Sequence, residues 1–132
     1  MNLIEQAKKQ AAEAVLNAYR AAVAAGDLPE GDVPAVAVEI PKDTKNGDYA
    51  SSFAMQCARA LHMAPRKIAE GLTAHIALDG TYFEEISIAG PGFLNFRLGK
   101  QWYADAVKLV ADMEEKWAEM AKIVAEESAA NA

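Results

Sequence analysis

Apolar residues recur at helical spacing along the first part of the chain, where Ile4, Ala7, Ala11, Ala14, Val15, Ala18 and Ala22 fall on one stripe. This pattern predicts a helix over Asn2–Ala25, reinforced by its alanine content and stopped by Gly26. The stretch Asp27–Pro34, with two prolines, a glycine and acids, reads as a loop. Val36–Ile40 reads as a short strand ended by Pro41. A turn-rich loop, Lys42–Tyr49, follows and contains the tight-turn pair Asn46-Gly47. Ser51 or Ser52 is placed to cap a helix that runs to His62. Met63-Ala64-Pro65 breaks that helix, and Pro65 suits the first turn of the next, Pro65–Ala77, with Ile68, Leu72 and Ile76 facing inward.

The pattern then changes from helical period to alternation. Tyr82–Ala89 reads as a strand with Ile86 and Ile88 on one face and Glu85 and Ser87 on the other. Gly90-Pro91-Gly92 turns the chain into a second strand, Phe93–Leu98. There Leu94, Phe96 and Leu98 share one face, while Phe93, Asn95 and Arg97 share the other. The strands near Val36–Ile40, Phe83–Ala89 and Phe93–Leu98 are expected to share one antiparallel sheet, with helices on the Leu94/Phe96 face. The last segment, Lys100–Ala129, is helical again. Trp102, Ala106, Val110, Met113, Trp117, Met120 and Val124 follow a heptad-like rhythm. A helix of about 30 residues extends roughly 45 Å, longer than a domain of this size. Its distal part is therefore expected to project, bend or meet another helix, with a helix-mediated dimer as one outcome.

The Phe93/Asn95/Arg97 face carries the chemistry. A ring can stack on an unpaired base, an amide can read the base edge, and a guanidinium can meet a phosphate. Each residue also has a plain structural role open to it. Phe93 can fold over a helix, Asn95 can be a solvated strand residue, and Arg97 can pair with a surface carboxylate.

Charge narrows the partners. The chain has 132 residues, the length of one domain, and a net charge of −6, which opposes indiscriminate nucleic-acid binding. The distribution is uneven. Pro41–Lys67 holds five basic residues (Lys42, Lys45, Arg59, Arg66, Lys67) against two acidic ones, whereas Val107–Ala132 holds six acidic against three basic. A site-limited RNA contact fits this balance. With no long apolar run and no basic-then-apolar leader, the chain is expected to be cytoplasmic and to make no use of a membrane.

Catalytic and metal signatures are missing from the sequence. Cys57 is the single cysteine, lies in a helical run, and has neither His62 nor His75 at a suggestive spacing. Gly90-Pro91-Gly92 lacks the lysine and helix start of a phosphate-cradling loop, and Glu84 and Glu85, adjacent in a strand, point to opposite faces. The expectation is a chain with no cofactor and no catalysis of its own. Two competing readings are a helix-mediated protein-interaction module and a small enzyme built on Asp43, Lys45 and Asp48.

Three blocks in order, VEIPKDTKNGDYASSFAMQCARA at Val38–Ala60, Pro65-Arg66-Lys67-Ile68-Ala69, and IAGPGFLNFRL at Ile88–Leu98, closely resemble the N-terminal appended domain of arginyl-tRNA synthetase. The resemblance covers roughly Asn2–Tyr103. It implies an α+β fold, a small antiparallel sheet with helices packed on it, and contact with the D-loop at the outer corner of an arginine tRNA. It also implies that Phe93 and Asn95 contact a D-loop nucleotide. It gives no role to Arg97, which rests on strand alternation alone. Lys42, Lys45, Arg66 and Lys67 are the cations placed to hold backbone phosphate. The expected organisation is a synthetase-like domain over residues 1–104 and a helical extension over 105–132. In the resembled enzymes the ATP, arginine and Mg²⁺ sites belong to a catalytic domain with a His-X-Gly-His signature, absent from this sequence. The chain is expected to be an excised, re-engineered or free-standing relative that supports such a domain.

Overall fold

The computed structural model describes residues 2–42 and 47–130. Asn2 starts the first helix, α1 (Leu3–Ala25), by accepting the Glu5 amide at 2.7 Å, and Gly26 ends it in a left-handed conformation with φ 82°. The alanine stripe is what α1 buries: Ala7, Ala11, Ala14, Val15, Ala18 and Ala22, joined by Tyr19. The Tyr19 hydroxyl donates to the Pro29 carbonyl and accepts the Gly31 amide, which organises the loop after α1.

Four strands follow in two pairs. β1 (Val38–Glu39) and β2 (Tyr49–Ser51) come before α2 (Phe53–Leu61) and α3 (Pro65–His75); β3 (Phe83–Ala89) and β4 (Phe93–Leu98) come after them. All pair antiparallel in the order β1-β2-β4-β3, so β4 is central. The chain is α+β, with a small antiparallel sheet and long terminal helices.

The register puts Ile86 opposite Phe96 and Ile88 opposite Leu94, as alternation requires. Leu94 and Phe96 are fully buried, together with Phe53, Ile68 and Leu72 from the helices. Each such side chain contributes roughly 1.5–3 kcal/mol by leaving water. Tyr49, Phe83 and Phe96 form a ring cluster with centroids 5.6 and 5.2 Å apart.

Two details depart from the sequence reading. The first strand is only two residues long, and β2 lies where a loop and a cap were expected. Ser51 is a strand residue, fully buried, whose hydroxyl donates to the Ala37 carbonyl and accepts the Phe53 amide. The residue at the N-cap position, Ser52, makes no side-chain cap. Ser51 thus opens α2 from inside the sheet.

The chain divides into two compact units, Met1–Gly99 and Lys100–Ala132. The second consists of α4 (Lys100–Ala130). Along it Val107, Val110, Met113, Trp117, Met120 and Val124 are exposed.

Candidate nucleic-acid interface

The sheet face opposite Leu94 and Phe96 is read from the pairing register. Glu39 pairs with Ala50, Ala50 with Asn95, and Asn95 with Ser87, giving one row across all four strands. Ala89 lies beside Phe93, and Glu85 beside Arg97. These rows frame a cavity of about 350 Å³. Its floor is Ala50 and Asn95. Glu39 and Pro41 stand on one side, and Phe93 with the Ala89-Gly90-Pro91 turn stands on the other. The volume is at the small end of the range for ligand pockets.

Asn95 is the unusual residue here. It lies on the sheet face opposite Leu94 and Phe96, yet it is only 7% exposed. Its neighbours Ala50 and Ser87 enclose it from both sides, and Gly47 runs close to its Cβ. Among the described residues its amide has no hydrogen-bond partner, and no side-chain polar atom is fully buried without one. The amide therefore opens onto the cavity with its donors and acceptor unused. Phe93 is half-buried at the cavity wall.

Two glycines hold the frame. Gly92, at φ 139°, lies so close to Pro65 that a Cβ there would meet its carbonyl group at 3.0 Å. This fits the β3–β4 turn against the start of α3. Gly47, at φ 92°, leaves no room for a Cβ beside the Phe96 carbonyl. Next to it the Asp48 amide donates to that carbonyl, and the Asp48 carboxylate accepts the Leu98 amide at 2.8 Å. The Tyr49 hydroxyl then donates to the Ile4 carbonyl at 2.9 Å. Burial, then Glu5 and then Asp48, push the Tyr49 phenol above its ordinary pKa. The Gly-Asp-Tyr block thus ties β2, β4 and α1 together.

The cations spread around the site rather than converge in it. Arg66 donates to the Gly90 carbonyl at 2.9 Å and so steadies the turn that walls the cavity. Lys42 and Lys67 are exposed. Arg97 pairs with Glu85 at 3.8 Å in the open, a weak ion pair. Lys45 and Asp43 lie outside the described residues. The residues not singled out from sequence are Glu39, Pro41, Ala50, Ala89, Gly90 and Pro91. The signal for Glu39 was its place opposite Val38 in an alternating strand, whereas Ala50 sits in a strand too short to show a pattern.

Burial pushes the Cys57 thiol up to about 11, which keeps it protonated and unreactive at neutral pH. Asp48, one member of the loop proposed for catalysis, already holds the Leu98 amide. Among the described residues no cluster of His, Cys, Asp and Glu can hold a metal, and no helix is long and apolar enough to cross a membrane.

Residues 3–98 match the sequence profile of a family described as the arginyl tRNA synthetase N terminal domain. The chain belongs to this family. It is 38% identical over 116 residues to the arginine–tRNA ligase of Acetivibrio thermocellus, a match that covers 88% of this chain and 21% of the ligase. The arginine–tRNA ligase of Listeria welshimeri is 41% identical over 100 residues, covering 76% of this chain and 18% of the ligase. The chain thus spans about a fifth of the length of these curated relatives. Among solved structures, the arginyl-tRNA synthetase of Thermus thermophilus aligns with a TM-score of 0.52 at 26% identity, over 69% of this chain and 14% of that one. The arginyl-tRNA synthetase from Plasmodium falciparum aligns with a TM-score of 0.56 at 22% identity, over 72% of this chain and 16% of that one, a likeness of fold. The profile match ends at Leu98, one residue before the division between the two compact units.

Proposed function

We propose that this synthetase N-terminal domain docks an arginine tRNA by taking one unstacked D-loop base into the cavity beside Phe93 and Asn95. The observation that carries the reading is the enclosed Asn95 amide, unpartnered among the described residues, next to a half-buried ring on the sheet face opposite Leu94 and Phe96. Phe93 supplies the stacking surface and Asn95 reads the base edge. Lys42, Lys45 and Lys67 serve the flanking phosphates, and Arg66 shapes the cavity through the turn. Arg97 is placed to add a phosphate contact by exchanging Glu85 for the RNA.

The test is filter binding of two transcripts at two salt concentrations. One is an intact arginine tRNA; the other has its D-loop replaced by a closed four-nucleotide loop. The intact transcript should bind more tightly by about 1–3 kcal/mol, the worth of one stacked base. Equal affinities would place the contact elsewhere.

In this reading the chain contributes recognition and not chemistry, because arginine activation belongs to the rest of the ligase. Arginine-dependent pyrophosphate exchange by the purified chain should stay at the level of a heat-killed control, and exchange above it would refute that assignment.

A further inference from the structure

Glu39 lines the same cavity as Asn95. The two residues lie in one cross-strand row, separated only by Ala50. Two strand spacings put their Cα atoms about 10 Å apart. The methyl group of Ala50 leaves the space between them open, so a flat ring lying over Ala50 presents one edge to each. Phe93 and Pro41 border the same space.

The two side chains differ in what they can select. An amide offers both a donor and an acceptor, and by turning over it suits either order on a base edge. Asn95 has no hydrogen bond among the described residues that fixes its orientation. Alone it therefore discriminates poorly. A carboxylate has no such choice, because it only accepts. Glu39 likewise has no partner among the described residues. A base that turns an exocyclic oxygen toward it is repelled, and one that turns an amino group toward it gains a charge-assisted hydrogen bond. Glu39 is exposed, and its charge disfavours a phosphate in the cavity relative to a neutral base.

We infer that Glu39 is the specificity-determining residue of this cavity, selecting a base that carries an exocyclic amino group over uracil. The inference rests on the docking reading above. Its geometry is the juxtaposition of an acceptor-only side chain and an unoriented amide across Ala50. Adenine, cytosine and guanine each present amino hydrogens; uracil presents none, and its one edge donor, N3–H, lies between two carbonyl oxygens that a carboxylate repels.

The experiment uses the whole chain and a pool of arginine tRNA transcripts in which each D-loop nucleotide is varied singly among A, C, G and U. Bound and unbound fractions are sequenced for the wild-type chain, Glu39→Gln, Glu39→Ala and Phe93→Ala. The wild-type chain should disfavour uracil at one D-loop position by about tenfold, the effect of one hydrogen bond to a charged group. Glu39→Gln, whose amide can donate to an exocyclic oxygen, should erase that preference, and Glu39→Ala should reduce it, both without loss of melting temperature. Phe93→Ala should weaken binding of every transcript. If Phe93→Ala weakens binding while Glu39→Gln keeps the wild-type profile, the docking reading stands and the role of Glu39 is overturned. If the wild-type chain shows no D-loop preference and Phe93→Ala binds as well as the wild type, both fall.

Discussion

On the helix-facing side of β4, Leu94 and Phe96 are sealed among Phe53, Ile68 and Leu72, and no water reaches them. On the other side, Asn95 is almost as enclosed, yet what encloses it is a thin rim of strand neighbours around a cavity. Depth of burial is nearly equal on the two sides, and only its chemistry differs. The core face buries apolar surface against apolar surface, which stabilises the fold. The cavity face encloses an amide that forms no hydrogen bond among the described residues and so adds none to the fold. A fraction of exposed surface would not separate these roles; the hydrogen-bond inventory does.

The comparison is broken most directly from the core side. Phe96→Ala should destabilise the domain by about 3–5 kcal/mol, through lost burial and the cavity left beside Tyr49 and Phe83. Chemical denaturation would measure it. A loss below about 1 kcal/mol would mean that the helices do not depend on this face.

Asn95→Ala gives a smaller effect of the opposite kind. Because no partner is orphaned by the change, stability should shift by less than about 0.5 kcal/mol. Affinity for an arginine tRNA should fall by about 1–3 kcal/mol, the range for a specific base contact. A large drop in melting temperature would show that Asn95 belongs to the fold after all.

Much of this was legible in the sequence, for reasons that differ by element. α1 declared itself because its alanine-rich apolar stripe and the stop at Gly26 agree, although Ile4, read as part of that stripe, is exposed and the capping role of Asn2 was not read. The faces of β3 and β4 were readable because alternation over Glu85–Ala89 and Phe93–Leu98 allows only one register with Ile86, Ile88, Leu94 and Phe96 on the core face, whereas the irregularity between Phe83 and Glu85, which sends Phe83 into the core beside Phe96, was not readable. Phe93 and Asn95 followed from that register. β2 was not legible, because three residues, all buried, show no alternation, and Ser51 looks like a helix cap when read alone. The enclosure of Asn95 was not legible either, since beyond its hairpin neighbour Ser87 it depends on Ala50 and Gly47, which are far away in sequence. Arg66 was readable as a cation near the site but not as a brace for Gly90, a contact spanning 24 positions. The role of Asp48 was hidden in the same way, because the amide it accepts is 50 residues distant.

The central claim is that the cavity face is spent on binding and not on folding. Phe93→Ala tests it in one paired measurement, the melting temperature of the domain and its affinity for an arginine tRNA transcript at fixed salt. The account predicts a melting temperature close to that of the wild-type chain and an affinity lower by about 1–3 kcal/mol. Unchanged affinity with a folded domain, or a domain that no longer folds, would contradict it.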